Sequence, residues 1–300
     1  MNQTAFSISP EIEKALAAGK PILALESTVI AHGLPRPQNL ETARQLEQIV
    51  REAEAVPATI GALEGKLCVG LDELQIEYLA NSDKIRKLST RDLAIAVARG
   101  WDGATTVAAT MWIAQRAGIK VFATGGIGGV HRGALPDISA DLPELARTPM
   151  IVVCSGAKIV LDLPATREWL ETHGITIVGY QCDEMPAFYS RQSGLPIDAR
   201  CDSPEEVVQL FRTQHELGLE SALLVAVPIP AAAEMPLNDL NEILEKSLRE
   251  AEEMKICGRD LTPFLLARMA ELSDGTTLRA NIALLKNNAG VAARIVNALN

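Results

Sequence analysis

Paired cysteines, long apolar runs and an excess of basic residues are all lacking from this sequence of 300 residues. Because no C-x-x-C pair is present, the cysteines are typical of neither a disulfide framework nor a zinc site, and they favour the reducing cytoplasm. The net charge of −10 argues against nucleic acid and against an anionic membrane surface as partners. The five cysteines are Cys68, Cys154, Cys182, Cys201 and Cys257.

No segment has the pattern of a membrane span or a secretory signal. The longest uncharged apolar stretch, residues 221–233, contains two prolines. It is much shorter than the roughly 20 residues that a membrane-spanning helix needs. The N-terminal residues have no basic region followed by an apolar run. We therefore expect a soluble protein.

Short apolar runs rich in β-branched residues alternate with amphipathic stretches along a chain of ordinary globular composition, 48% hydrophobic and 22% charged. This pattern predicts strands that alternate with helices. Strands are expected at residues 21–25, 58–63, 85–88, 120–123, 150–154, 176–180 and 222–227. Helices are expected at 39–54, 92–98, 107–117, 164–172 and 204–217, and over most of 238–298 with breaks near 257–258 and 274–275.

The alternation predicts an α/β fold with three α/β/α layers, in which helices cover both faces of a mostly parallel or mixed central sheet. No repeat, linker or shift in composition divides the chain, so we expect residues 1–300 to form one domain. Ligands of such sheets bind beyond the carboxyl ends of the strands. The residues that follow the predicted strands are therefore the candidates for a functional site.

Four glycines stand within five residues after the predicted strand 120–123, in the segment 124–133. Because glycine has no Cβ, the backbone N–H groups of such a segment can approach a ligand closely. The segment matches neither the dinucleotide-binding G-x-G-x-x-G pattern nor a P-loop. A tight turn is the alternative. Because His131 and Arg132 follow the glycines, we expect the segment to line a site.

Two carboxylates, Asp137 and Asp141, stand four residues apart. They point to the same side whether the segment is helical or extended. Carboxylate oxygens are ligands that suit Mg²⁺ or Mn²⁺. The alternative is that Asp141 caps a helix at 142–146 and that Asp137 is a turn residue.

A lysine and a glutamate each follow an apolar strand. Lys158 stands among small and apolar neighbours, where desolvation favours the neutral, nucleophilic amine. A solvated lysine at the start of a helix is the alternative. Glu26 closes the strand 21–25, and burial would favour a protonated carboxyl that can donate a proton. The alternative is a hydrogen-bonded residue at the end of a strand.

Lys87 and the segment 103–107 suggest an anion site, in which Thr105 or Thr106 caps a helix whose free N–H groups point outward. Plain capping beside a surface lysine is the alternative. Near the C-terminus, asparagines interrupt an apolar helix, and surface amides are the default interpretation. Asn281 lining the site is the alternative. The three asparagines are Asn281, Asn287 and Asn288.

Together these segments resemble the pseudouridine-5′-phosphate glycosidase family, also called indigoidine synthase A-like. The resemblance runs from about residue 8 to the C-terminus, with the motifs in the same order. It implies an α/β/α fold, dependence on Mn²⁺, a homotrimer, and reversible cleavage of the C–C glycosidic bond of pseudouridine 5′-phosphate to uracil and ribose 5-phosphate. The matching motifs are residues 24–28, 103–107, 124–133, 137–141, 156–158 and 262–266.

Matched motif to motif, the resemblance also implies roles for single residues. Lys158 falls at the nucleophile that attacks C1′ and forms a Schiff-base-type adduct with the opened ribose. Glu26 falls at the proton donor to uracil C5, and Asp137 at the Mn²⁺ ligand. The positions implied to bind substrate are Lys87, Val107, Thr124, His131, Ser139, Ala140, Asp141 and Asn281.

Two other functions use the same features. A Schiff-base aldolase that acts on another sugar phosphate would need the same lysine and phosphate site. A non-catalytic sugar-phosphate sensor would account for the glycine-rich segment and Lys87, but not for Glu26 paired with Lys158. A sugar kinase is disfavoured because no nucleotide-phosphate motif is present.

Overall fold

A mixed β-sheet runs through the centre of the molecule. The computed structural model describes residues 5–133, 137–256, 258 and 261–300, so Cys257 lies outside the described residues. The strands are β1 (Phe6–Ile8), β2 (Ile22–Leu25), β3 (Val56–Leu63), β4 (Lys66–Val69), β5 (Arg86–Leu88), β6 (Gly103–Thr105), β7 (Val121–Ala123), β8 (Ile151–Cys154), β9 (Thr176–Tyr180), β10 (Ala199–Cys201) and β11 (Leu223–Ala226).

The strands lie in the order β1-β4-β3-β2-β7-β8-β11-β9-β10, and β6 joins β3 to β5. From β3 to β10 along this order, every pairing is parallel. β3 pairs in antiparallel fashion with β4 and with β6. The sheet is therefore mixed, with a parallel centre.

Helices surround this sheet. They are α1 (Pro10–Ala17), α2 (Gln38–Glu52), α3 (Glu73–Asn81), α4 (Thr90–Arg99), α5 (Val107–Arg116), α6 (Asp141–Leu145), α7 (Leu163–Thr172), α8 (Pro204–Glu216), α9 (Leu237–Glu253), α10 (Leu261–Leu272) and α11 (Thr276–Leu299). Within the described ranges, none of them combines the length and hydropathy needed to cross a membrane.

The central strands are buried along their whole length. Every residue of β2, β7, β8 and β11 is buried, so these strands show a continuous apolar run instead of an alternating one. That pattern is typical of parallel strands whose two faces are both covered by helices. The long helix α11 packs on β2, β7 and β8 at the centre of this core.

The predicted α/β fold with a central mixed sheet and surrounding helices is confirmed. Each predicted strand is present within two residues of its expected bounds, and the C-terminal third is helical with breaks after α9 and α10. Elements without a prediction are β1, α1, β4, α3, β6 and β10.

Leu23 tests how much the buried centre contributes to stability. It lies in β2 and is fully buried, so Leu23→Ala removes apolar contacts and leaves a cavity. We expect the free energy of unfolding to fall by about 2–5 kcal/mol. Urea unfolding at fixed protein concentration measures the change. Leu217→Ala, at an exposed position, is the control, with an expected change within about 0.5 kcal/mol. Equal effects of the two substitutions would contradict the described core.

Candidate active site

The carboxyl ends of β2, β7 and β8 lie side by side because these strands are parallel neighbours. A cavity of about 510 Å³ opens beyond these ends, within the range of about 300–1,000 Å³ that is typical of small-molecule sites. Every residue that the sequence predicted for a site lines this one cavity. They are Glu26, Lys87, Val107, Thr124, His131, Asp137, Ser139, Ala140, Asp141, Lys158 and Asn281. Their chemical roles stay predictions.

The carbonyl of Ile60 in β3 connects two parts of the site. Ser27, which follows β2, donates its hydroxyl to this carbonyl at 2.6 Å, and Thr105 at the end of β6 donates to it at 2.8 Å. The Thr105 amide also donates to the Ser27 hydroxyl at 2.9 Å. β2 is parallel to β3 and β6 is antiparallel to it. The two strands β2 and β6 therefore approach Ile60 from opposite directions, and both end beside it. The start of α5 therefore meets the end of β2.

Glu26 is held by two threonines. It is 9% exposed, and its carboxyl oxygens accept hydrogen bonds from the hydroxyls of Thr28 and Thr124. Both interpretations of the sequence are thus compatible with its position, because it is a hydrogen-bonded residue at a strand end and it also lines the cavity. Thr28 had no role in the sequence analysis, since a hydroxyl two residues from a carboxylate gives no distinctive pattern.

Lys158 lies in the loop that follows β8, before any helix begins. Its backbone amide donates to the carbonyl of Ile127, and the Ile127 amide donates to the carbonyl of Gly156, each at 3.1 Å. Gly156 has φ of +78°, and a Cβ there would lie 2.3 Å from the carbonyl oxygen of Pro186. Among the described residues, none forms a hydrogen bond or an ion pair with the Lys158 amine. The backbone is therefore fixed while the amine is available in the cavity.

Several amides of the glycine-rich segment donate to other protein groups. The amide of Gly128 donates to Asp141 Oδ2 at 2.8 Å, and that of Val130 donates to the Thr166 hydroxyl at 2.9 Å. A Cβ on Gly128 would lie 2.1 Å from the Ser139 hydroxyl oxygen. These glycines permit close packing of the site wall. The expectation that their N–H groups approach a ligand is not met at these amides.

Asp141 does not cap its own helix, so that alternative was wrong. It is the first residue of α6, and Ala140 precedes it at the cap position without a side-chain hydrogen bond. Its two carboxylate oxygens accept from the amide of Ala108 at 3.0 Å and from that of Gly128. A carboxylate at the start of α5 also interacts favourably with the dipole of that helix. Asp141 therefore links α5 to the glycine-rich segment.

This arrangement also changes the expected anion site at α5. The amide of Ala108 is occupied by Asp141, and that of Ala109 donates to the hydroxyl of Thr106, the cap residue, at 3.4 Å. Thr105 is a buried strand residue and does not cap α5. Two of the N–H groups that would bind an anion are thus already satisfied within the protein.

Asp137 differs from Asp141 because its carboxylate is exposed and has no hydrogen-bond donor among the described residues. The Asp137 carbonyl accepts from the amide of His131 at 2.8 Å, which fixes the backbone of the two residues together. Across the described ranges, no group of three or more His, Cys, Asp or Glu side chains is placed to enclose a metal ion. An ion here would have one carboxylate ligand and would keep most of its water, as Mg²⁺-like ions commonly do.

One end of the cavity is rich in cationic side chains. Lys87 in β5 and Arg91 in the first turn of α4 both line it, together with Ser89, the residue that precedes α4. Burial lowers the pKa of His32, and the positive charge of Lys87 lowers it further. Burial lowers the pKa of His131 as well, although Asp137 opposes this effect. Both imidazoles are therefore predominantly neutral at pH 7, and the positive charge at this end comes from Lys87 and Arg91.

The three asparagines near the C-terminus are not all surface amides. Asn281 is 7% exposed and lines the cavity, and Asn288 is fully buried. Asn287 donates to the carbonyl of Pro228 at 3.2 Å. The default interpretation was wrong for Asn281 and Asn288, because α11 passes beneath the centre of the sheet and is not a surface helix.

Comparisons with known proteins agree with this geometry. Residues 11–298 match the sequence pattern of the family described as indigoidine synthase A like protein. The chain belongs to this family. A relative from Hahella chejuensis, named pseudouridine-5′-phosphate glycosidase, is 53% identical over 97% of each chain. A relative of the same name from Geobacillus kaustophilus is 51% identical over 97% of this chain and 98% of its own.

Two solved structures of the family have the same fold. An indigoidine synthase A-like protein from Thermotoga maritima is 40% identical with a TM-score of 0.90, over 97% of this chain and 96% of its own. The prealnumycin C-glycosynthase AlnA, solved in complex with ribulose 5-phosphate, is 39% identical with a TM-score of 0.90, over 98% and 96% of the two chains. The named relatives are enzymes, and this member of the indigoidine synthase A-like family is an enzyme as well.

The two aspartates of this family member are expected to respond differently to substitution. Asp141→Asn places an amide against two backbone N–H donors and leaves at least one of them unsatisfied. We expect a loss of about 1–3 kcal/mol in the free energy of unfolding. Asp137→Asn, at the exposed position, should change it by no more than about 0.5 kcal/mol. Urea unfolding compares the two variants, and equal losses would contradict the structural role of Asp141.

Proposed function

We propose that this enzyme is a pseudouridine-5′-phosphate glycosidase that reversibly cleaves the C–C glycosidic bond of pseudouridine 5′-phosphate to uracil and ribose 5-phosphate, as part of nucleobase catabolism. One observation carries the proposal: a primary amine, Lys158, and a buried carboxyl, Glu26, line the same cavity as the cations Lys87 and Arg91. The names of the relatives support it.

The distribution of charge gives the substrate an orientation. The phosphate binds at the cationic end, beside Lys87, Arg91 and the start of α4, with Val107 at the adjoining wall. The ribose then lies against Lys158, and the uracil ring lies toward Glu26. The other predicted substrate contacts are Thr124, His131, Ser139, Ala140, Asp141 and Asn281. Asp141 contributes through its hold on the glycine-rich segment, since its oxygens are already occupied.

Cleavage of a carbon–carbon bond needs an electron pair that can displace the uracil carbon. The neutral Lys158 amine attacks C1′, and the bond from C1′ to the ring oxygen breaks. The ring oxygen takes up the proton that the nitrogen then loses, so the nitrogen regains a lone pair. Glu26 then protonates C5 of uracil. The nitrogen lone pair forms a C=N bond to C1′ as the C1′–C5 pair moves onto the uracil ring. Water hydrolyses the resulting imine, which releases ribose 5-phosphate and restores the amine.

Glu26 must carry a proton before uracil can leave. Its partners Thr28 and Thr124 have hydroxyls that can donate or accept, so one of the two hydrogen bonds reverses direction when the carboxyl is protonated. The low exposure of Glu26 limits its contact with bulk water. The hydroxyls then hold the carboxyl in one orientation in both protonation states.

We also propose that Mn²⁺ binds at Asp137, retaining water at its other positions. The exposed carboxylate beside His131 fits such an ion, because hard oxygen ligands suit Mn²⁺. When bound, the ion supplies a positive charge that favours the neutral form of a nearby amine. A homotrimer in the cytoplasm is likewise proposed from the family resemblance, and light scattering on the eluted protein tests the oligomer.

The direct test of the function is incubation of the enzyme with pseudouridine 5′-phosphate, followed by chromatography with ultraviolet detection. We expect free uracil and ribose 5-phosphate in equal amounts, and a lower rate after treatment with a chelator that added Mn²⁺ reverses. Binding without release of uracil would overturn the proposal in favour of a sensor. Turnover of another sugar phosphate by carbon–carbon cleavage, without release of uracil from pseudouridine 5′-phosphate, would favour an aldolase.

Lys158→Ala should abolish turnover, because it removes the amine that attacks C1′ in the proposed route. Binding of ribose 5-phosphate, measured by calorimetry, should change little because the proposed phosphate contacts, Lys87 and Arg91, are retained. Lys120→Ala is the matched control. Lys120 is an exposed lysine at the amino end of β7, whereas the cavity lies beyond the carboxyl end of that strand. Activity equal to the wild type in Lys158→Ala would exclude the covalent route.

Glu26→Gln should lower the turnover rate by at least ~100-fold, the scale expected for a positioned proton donor. The control is Glu47→Gln. Glu47 is another glutamate that accepts from a threonine hydroxyl, that of Thr59 at 2.6 Å, but it does not line the cavity. Rates of uracil release decide the outcome. A similar, small loss in both variants would show that Glu26 is not the proton donor.

A further inference from the structure

Asn288 connects the helical layer to the two loops that form the base of the site. It lies in α11, and its side chain is fully buried. Its Nδ2 donates to the carbonyl of Thr124 at 2.9 Å and to that of Gly125 at 3.3 Å. Its amide group also contacts the Ser155 hydroxyl, at 3.2 Å from Oδ1 and 3.1 Å from Nδ2.

These contacts match the hydrogen-bonding capacity of one amide group. If Ser155 donates its hydroxyl to Oδ1, the two hydrogens of Nδ2 are left for the carbonyls of Thr124 and Gly125. Those carbonyls belong to the residues just past β7. A buried carbonyl without a partner would cost free energy. Of the side chains similar in size to asparagine, aspartate lacks the two donors and leucine lacks every polar atom.

The residues that Asn288 contacts lie next to both proposed catalytic groups. Thr124 holds Glu26 through its hydroxyl. Ser155 begins the loop that carries Lys158, and the Ser155 amide donates to the Gly125 carbonyl at 2.9 Å. Beyond this point the two loops are joined by the hydrogen bonds between Ile127 and the segment 156–158. Asn288 thus contacts both Thr124, which holds the Glu26 carboxyl, and Ser155, which begins the loop that carries the Lys158 amine.

We propose that Asn288 is a positioning residue that fixes Glu26 and Lys158 relative to each other, through Thr124 on one side and Ser155 on the other. The proposal rests on the proposed function for the roles of these two groups. Asn288 is fully buried and is not among the residues that line the cavity. A displacement of about 1 Å between reacting groups can lower a rate about 100-fold, so a support shared by both groups controls turnover.

The test compares Asn288→Asp, which preserves size but removes both donors, with Asn288→Ala. The control is Val296→Ala, a buried position on the same helix, about two turns further along the chain than Asn288. We expect kcat per folded enzyme to fall about 10–100-fold in both Asn288 variants, with KM for pseudouridine 5′-phosphate changed less than about threefold. The control should lower Tm and leave both constants close to those of the wild type. Ser155→Ala removes the contact between Asn288 and the Lys158 loop, so it should also lower kcat, but by less than the Asn288 variants because the Ser155 amide keeps its hydrogen bond to the Gly125 carbonyl.

A second measurement does not depend on activity. Hydrogen–deuterium exchange followed by mass spectrometry reports on the amides of Ile127 and Lys158. Their exchange should be at least about tenfold faster in the Asn288 variants than in the wild type or in Val296→Ala. If Asn288→Asp does not fold, Asn288→Ala carries both measurements.

The outcomes separate the two proposals. Absence of uracil release by the wild type overturns the proposed function, and the exchange experiment still decides whether Asn288 fixes the loops. Wild-type kcat in the Asn288 variants overturns the positioning role. So does a loss of kcat that the control reproduces at equal Tm, or unchanged exchange at Ile127 and Lys158.

Discussion

The site depends on hydrogen bonds between two loops that follow neighbouring parallel strands. Because β7 and β8 are parallel neighbours, the segments after Ala123 and Cys154 both leave the sheet at the carboxyl ends of the strands and can pair with each other. The Ile127 amide and carbonyl bind the carbonyl of Gly156 and the amide of Lys158. This pairing holds the backbone of a lysine against a cavity wall, so that its amine can act there.

The acidic residues of the site have three different environments, and each environment decides what the carboxyl can do. Asp141 is buried, and two backbone amides occupy its oxygens, so it holds α5 and the glycine-rich segment together. Asp137 is exposed and has no such donors among the described residues, which leaves it available to an ion. Glu26 is buried, but its partners are hydroxyls that can reverse their hydrogen bonds. Its partners can therefore keep their hydrogen bonds to Glu26 in the role proposed for it.

Burial also determines which side chains near the carboxyl end of β8 can react. Cys154 ends β8, four residues before Lys158. Full burial raises the pKa of its thiol to about 12, so the thiol stays protonated and is not a competing nucleophile. The amine of Lys158 lines the cavity, whereas the thiol of Cys154 lies within the core. The loop thus presents one nucleophile to the cavity.

Much of this arrangement could be predicted from the sequence, because apolar runs mark the buried parallel strands and polar residues follow them. Glu26 and Lys158 were found in this way, since each follows the end of a strand, whereas Lys87 lies within β5. The packing role of the glycines and the structural role of Asp141 could not be predicted, because both depend on contacts between segments distant in sequence. The same is true of Asn288, whose partners lie more than 130 residues away. An asparagine in an apolar helix gives no sign of them.

We propose that the Lys158 amine bonds to the anomeric carbon of the sugar, and each later step of the proposed reaction depends on this bond. The most direct measurement is reduction with borohydride in the presence of ribose 5-phosphate, followed by intact mass and peptide mapping. The account predicts one stable adduct per chain, located on Lys158 and absent from Lys158→Ala. An unchanged mass, or an adduct on another lysine that persists in Lys158→Ala, would contradict it.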